Sequence, residues 1–155
     1  MNLKAGLFLK STPTAGEPFS AGTLIFITEH NANGAVGFVI NHPFGRSLNE
    51  LEEFRHSPAL PLYWGGPVDK EHLFFLHRRP GLIDGGTAIV GDVYSGGNFR
   101  QVVAGINNKS LTAMDIKVFV GYCGWDSGDL EGEIEEGSWM VTNESADVIF
   151  HTTAI

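Results

Sequence analysis

Cysteine, histidine and arginine side chains mark where this chain could do chemistry. Cys123 is its single cysteine, set in Gly121-Tyr-Cys-Gly-Trp125 at the end of an apolar run and just ahead of a segment that reads as a helix over about 127–136. A thiolate near a helix N-terminus has a lowered pKa and can act as a nucleophile. Against that role, Asp126, Asp129, Glu131 and Glu133 crowd the same stretch and disfavour a second anion. No Cys–His spacing identifies a base either. Packing is the stronger reading for this thiol.

The histidines offer acid–base chemistry, since imidazole titrates near neutrality and works as a base when a carboxylate orients it. Glu29-His30 and Asn41-His42 both fall at strand ends, where functional side chains collect. Neighbouring residues of a strand point to opposite faces, so Glu29 is badly placed to orient His30. His42 precedes Pro43 and is thereby held extended, which predicts an ordered loop over 41–46. Arg46 then lies beside a helix start at Ser47, where an anion or a ligand carboxylate could sit. Glu29, His30, Asn41, His42 and Arg46 are therefore the candidate ligand or interaction residues, and no residue is assigned a catalytic role.

Metal and nucleotide chemistry find less support. His72 and His77 are five apart on a strand-like run, which turns them to opposite faces, and no HExxH or paired-cysteine pattern exists. Gly65-Gly66-Pro67 and Gly96-Gly97 match neither GxGxxG nor a P-loop. No metal and no cofactor is expected. Gly65-Gly66 instead predicts a sharp turn beside Trp64, with Pro67 fixing the backbone after it.

The elements that must position these residues are mostly strands. Runs at 3–10, 23–29, 35–40, 60–64, 72–77, 87–90, 114–122, 138–142 and 147–150 read as strands, those at 23–29 and 35–40 central because they are nearly continuously apolar. Asn33-Gly34 predicts a two-residue turn that would set Phe38 opposite Glu29. Ser47-Leu-Asn-Glu50 is a capping box opening a short helix to about Arg55, and Asn98 caps a second helix through Ile106. A third helix, over 127–136, buries Leu130 and Ile134. Gly121 and Gly124 predict a corner in which Tyr122 and Trp125 pack, joined by Trp139.

Composition narrows the function classes. At 155 residues the chain fits one domain, 1–155, large enough to build a core without disulfides. A lone cysteine suits a reducing compartment, no leader opens the chain, and no apolar run approaches the roughly 20 residues of a membrane helix. Cytoplasm is the expected address. The net charge of −8 disfavours direct nucleic-acid binding, which needs a basic patch. The one close basic cluster, His77-Arg78-Arg79, reads as a strand end with solvated heads.

Several segments together carry a resemblance. They are Gly6–Lys10 with Pro13 and Phe19, Glu29-His30, Gly34-Ala-Val-Gly-Phe-Val-Ile-Asn-His-Pro43, Gly65-Gly-Pro-Val68, Leu76-His77, Gly121-Tyr-Cys-Gly-Trp125, and Gly128-Asp-Leu-Glu131 with Glu133, Ile134 and Trp139. On these residues, spread over nearly the whole chain, the sequence resembles the AlgH/YqgE family of bacterial proteins. The resemblance implies an α+β fold whose mixed, bifurcated sheet closes into a pseudo-barrel with short helices packed outside. It implies no established enzymatic activity, and the family carries a transcriptional-regulator label. It marks Gly65, Gly66, Pro67, Gly121, Tyr122, Gly124, Trp125, Glu131 and Trp139 as a structural motif. Three positions depart from the pattern: Asp129 replaces a usual glutamine, Cys123 stands where alanine is common, and the chain stops at Ile155 where relatives continue into a short helix.

Three functions are then open. A binding or regulatory module acting through an unidentified protein or small molecule fits the acidic surface and the scattered reactive groups. A DNA-associated regulator would need basic phosphate contacts that neither 48–55 nor 98–106 supplies. A hydrolase would have to use His42 or His30, so whether the protein is an enzyme stays undecided by sequence. Oligomeric state is not readable from the chain.

Overall fold

The computed structural model describes residues 3–151. In chain order the strands are β1 (Phe8–Ser11), β2 (Leu24–Asn31), β3 (Gly34–Val39), β4 (Pro43–Ser47), β5 (Pro61–Trp64), β6 (Val68–His77), β7 (Thr87–Val90), β8 (Val93–Ser95), β9 (Ile116–Asp126) and β10 (Trp139–Thr142). The helices are α1 (Phe99–Asn107), α2 (Asp129–Glu135) and α3 (Val148–His151).

One mixed sheet runs β10-β1-β2-β3-β9-β6-β8-β7, with β4 and β5 branching from β9. Its fork lies in β9. Residues 116–122 of β9 pair antiparallel with β6, Val118–Val120 also pair parallel with β5, and Cys123–Asp126 pair with β3. The sheet curls until β7 meets the chain ahead of β1: a Cβ added at Gly6 would stand 3.0 Å from that of Val90. The two path ends, β7 and β10, do not pair, so the barrel stays open.

Strand alternation divides the core. Ile116, Val118 and Val120 of β9 face a cluster built with Val102 and Ile106 of α1, while Phe119 faces the opposite cluster with Phe26, Phe38, Leu76 and Ile149. A third cluster places Leu130 of α2 against Ile25, Ile27 and Val39. The helices thus pack outside the sheet, each closing one cluster.

Several local expectations change. β9 does not end at Tyr122 but bends at Gly121, at φ +74°, and continues to Asp126. The β2–β3 turn is Ala32-Asn33, with Asn31 opposite Gly34, and a bulge at Thr28 brings Phe38 opposite Phe26 and not Glu29. Gly34 is taken into the strand because a Cβ there would lie 2.0 Å from the Trp125 carbonyl oxygen. The Ser47 box forms, with the Ser47 N–H donating to Glu50 Oε2 at 2.6 Å. The box opens two 3-10 turns in place of a helix, Leu48–Glu50 and Glu52–Phe54, because Leu51 is extended between them. Residues 147–150 are not a strand; Val148–His151 is a short helix.

Of the basic cluster only Arg79 is a solvated head, 3.3 Å from Asp115; His77 and Arg78 are not. His77 is fully buried against Tyr94, its Nδ1 accepting the Arg79 N–H at 3.1 Å and its Nε2 3.1 Å from the Gly96 carbonyl. Burial lowers its pKa, which favours the neutral ring that this pair of contacts requires. Arg78 lies over the Phe150 ring, 4.2 Å from its centroid, and donates to Asp147 at 3.1 Å. It fastens α3.

Candidate functional site

The glycine motifs meet at the fork, backbone on backbone. A Cβ at Gly65 would lie 2.3 Å from the Gly121 carbonyl oxygen, and one at Gly66 would lie 2.2 Å from the carbonyl of Tyr122. Only glycine permits main chains to cross that closely. Gly65-Gly66 therefore joins the two halves of the sheet in addition to turning the chain.

From this crossing a row of rings leads outward. His42 lies edge-on to Trp64 with centroids 5.4 Å apart, Trp64 is 6.0 Å from Phe19, Phe19 is 4.9 Å from Trp139, and Trp139 is 6.3 Å from Trp125. Glu133 Oε1 accepts both indole N–H groups, from Trp125 at 3.0 Å and Trp139 at 2.9 Å, which pins α2 to the sheet. Tyr122 does not join this row. Three residues from Trp125, it turns to the opposite face and meets Phe74 edge-on at 5.4 Å.

Cys123 is sealed beneath α2. Its Sγ donates to the Gly65 carbonyl at 3.5 Å, and burial pushes the thiol pKa up to about 12. Such a thiol carries no thiolate at neutral pH. Native protein at pH 8 is expected to resist iodoacetamide, and protein in denaturant to react quantitatively. Rapid alkylation of the folded chain, detected by mass spectrometry, would show the packing role to be wrong.

The candidate residues divide between two ends of the β2–β3 hairpin. At one end His30 Nε2 is 3.1 Å from Glu131 Oε2, so the carboxylate that meets His30 comes from α2 and not from its neighbour. Glu131 is held below the usual carboxylate range by its own backbone N–H and by His30. Glu29 instead accepts from Asn31 at 3.1 Å. At the other end Asn41 is buried, its Oδ1 accepting Leu24 N–H and its Nδ2 donating to the Gly22 carbonyl, both at 3.0 Å. It stitches β2 to the chain leaving β3. His42 Nδ1 is buried without a hydrogen-bond partner, and Arg46 is exposed on β4. No nucleophile faces either imidazole among the contacts of the described residues. Nor do three His, Cys, Asp or Glu side chains of those residues converge as a metal ion would need.

A concave surface begins at Phe44, two residues before Arg46 on β4. A groove of about 500 Å3 opens between β4, Leu51 with the second 3-10 turn, and the first half of β6. Phe44, Leu51, Phe54, Leu73, Phe99 and Val120 give it an apolar lining, and Glu52, Glu53, Lys70, Glu71 and His72 a charged rim. Both walls are bulged strands. Phe44, Gly45 and Arg46 have no partner on β5, and Asp69–His72 have none on β9. Arg46 and the capping box at Ser47 were the sequence signals nearby; the β6 wall gave none at 68–71, ahead of the strand expected at 72–77.

Lys117 is the polar residue that sequence reasoning missed. It is 5% exposed, and its Nζ donates to the Ile40 carbonyl at 2.5 Å and the Ile149 carbonyl at 2.8 Å, above the Tyr63 ring at 3.9 Å. Neither acceptor carries a charge. Burial lowers its pKa to about 7. The signal was present: a lysine two residues from Phe119, in a strand covered on both faces.

Comparison with known proteins places these features. Residues 8–154 match the sequence profile of the family described as AlgH-like, DUF179. A UPF0301 protein of Chlorobium phaeobacteroides is 36% identical over 148 residues, 96% of this chain and 79% of that protein. Another, from Dechloromonas aromatica, is 35% identical over 150 residues, 92% of this chain and 80% of the relative. The solution structure of the AlgH protein of Pseudomonas aeruginosa superposes with a TM-score of 0.77 at 28% identity, covering 97% of this chain and 82% of that one. A crystal structure from Corynebacterium diphtheriae, at 21% identity, shares the fold with a TM-score of 0.76 over 96% of this chain and 81% of its own. The motifs that interlock at the fork thus sit within a match spanning nearly all of the sequence, and the chain belongs to the AlgH-like family.

Proposed function

We propose that the protein is a non-enzymatic binding or regulatory module whose contact surface is the groove between β4 and β6. The observation that carries this reading is the combination of an open apolar groove with reactive groups that are spent on structure. Cys123 is sealed, Asn41 is tied into the sheet, and His30 and His42 answer to different elements. A concave apolar surface with a few charged groups at its rim is the usual form of a binding site. The net charge of −8 directs the reading toward proteins or small molecules and away from nucleic acid.

Phe44 is 38% exposed at the groove edge, and Met140, 53% exposed on β10, is a matched apolar residue outside it. Immobilised wild type, Phe44→Glu and Met140→Glu should be compared in an extract of the native cell, with mass spectrometry of bound proteins and metabolites. A stoichiometric partner should be lost about tenfold or more with Phe44→Glu, as for a central contact residue, and kept with Met140→Glu. Equal recovery by all three, or loss only with Met140→Glu, would place the contact surface elsewhere.

A further inference from the structure

We propose that β10 is a self-association edge, through which two copies of the chain pair antiparallel across a two-fold axis at Met140. The inference is independent of the groove, whose walls are other strands.

The backbone supplies the first argument. β10 ends the sheet path and pairs with β1 alone, in an unbroken register from Phe8↔Thr142 to Ser11↔Trp139. The Thr12 N–H donates to the Ser138 carbonyl at 3.0 Å, which fixes the phase of this ladder. Met140 and Thr142 therefore turn their N–H and C=O groups to β1, and Trp139 and Val141 turn theirs outward. Those outward groups have no partner among the described residues. Edges are ordinarily protected by lysine, proline or a bulge. β7, at the other end of the path, has a bulge between Ala88 and Val90 and lies against the chain at Gly6. Trp139-Met-Val-Thr142 has none of these devices, and its Met140 and Val141 are 53% and 41% exposed.

The second argument selects the occupant. The edge suits an uncharged strand with an apolar residue exposed on each face, and β10 is itself such a strand. With the outward groups at 139 and 141, two antiparallel copies that overlap fully have one register. Trp139 then forms a hydrogen-bonded pair with Val141 of the second copy, and Val141 with its Trp139, an aromatic and β-branched pairing of the favourable kind. Met140 meets Met140 of the second copy on the axis, in a non-hydrogen-bonded pair, where side chains approach most closely. Lys10, opposite Met140 on β1, flanks this row from both outer sides and disfavours a basic strand there. The contact is the same patch on both copies, so it closes at two. A four-residue strand covers less than the roughly 1,200 Å2 of a standard interface, so the dimer is weak. Glu136 before the strand and Glu144 after it come near their like in the second copy, so salt strengthens the dimer.

Sedimentation equilibrium of the full chain, from about 10 μM to about 1 mM and in low and high salt, reads the association. Wild type should pass from monomer to dimer over that range, and more tightly in high salt. Met140→Lys and Met140→Glu should each weaken it about tenfold or more, because the new charge faces its like on the axis. Mixing the two variants should restore association to wild-type strength or beyond, since lysine then faces glutamate. Met114→Lys, at a side chain 60% exposed and away from β10, should change nothing. Met140→Cys should give a covalent dimer with oxidised glutathione, because Cα atoms about 4.5 Å apart suit a disulfide. Cys123 is buried and stays silent.

A wild type that stays monomeric at about 1 mM in both salts would overturn the proposal. So would association that runs past two copies, weakens as salt rises, or is lost with Met114→Lys. Equal association of wild type and both charged variants would remove β10 from the contact. A mixture no stronger than either variant alone would show that residue 140 does not face its own copy. Restoration in the mixture requires both variants to be folded, so it also separates lost contact from lost structure.

Discussion

Replacing Lys117 with methionine is expected to remove a rise in stability that the wild type shows between about pH 7 and pH 10. Folded Lys117 titrates near 7, against 10.5 for the ordinary side chain. Below pH 7 both folded and unfolded chains hold the proton, and the penalty of burying the cation is felt in full. Between the two values only the unfolded chain holds it, so folding stability climbs with pH by about 1.4 kcal/mol per unit. Across the window the gain approaches about 5 kcal/mol at most. The two carbonyls and the Tyr63 ring favour the charged form, so they reduce the gain. Urea unfolding of wild type and Lys117→Met at pH 6, 7, 8, 9 and 10 measures the difference directly. The variant should compare best with wild type at pH 6 and progressively worse toward pH 10, where the neutral amine bonds both carbonyls without a charge penalty. Parallel profiles would mean that Lys117 keeps an ordinary pKa and that its surroundings are wetter than described.

Gly66→Ala is expected to be among the most damaging single substitutions in the chain. The added methyl would stand 2.2 Å from both atoms of the Tyr122 carbonyl and 2.5 Å from the Cys123 nitrogen, at φ +157°. These are main-chain atoms of the strand that joins the half-sheets, so no side chain can swing aside. Strain and overpacking together should remove on the order of 4 kcal/mol, a large share of a domain's usual 5–15 kcal/mol. A contrasting control is Gly132→Ala in α2, where the added methyl meets nothing within 4 Å and alanine is the better helix former. Thermal unfolding should show a large loss for the first and little change or a gain for the second. Equal, small effects would mean that the crossing at the fork is looser than the geometry states.

How far the sequence announced all this depends on the range of the interaction. Strands with long apolar runs, such as β2, β3 and β9, were legible because burial on both faces leaves a continuous signature. The Asn98 cap was legible because it acts within three residues, its side chain accepting the Gln101 N–H. Expectations failed where distant partners decide. Val148-Ile149-Phe150 looks like a strand by residue type. Its helical turn is favoured by the Ser145 backbone and held by Arg78 and Lys117, far off in the chain. The β2–β3 register shifted because Gly34 is claimed by Trp125, ninety-one residues later. The site was legible in part. Arg46 and the Ser47 box lead to one wall of the groove, but the pairing of His30 with Glu131 needs α2 folded back over the hairpin, which no local pattern encodes.

Because β9 passes unbroken through the fork, it sets a distance between two surfaces. Val120 floors the groove, and Trp125, five positions on, anchors the helix that carries Glu131. Five residues of strand span at most about 17 Å. A ruler of that length, clamped at its middle by main-chain atoms, fixes the spacing between two chemically unlike faces.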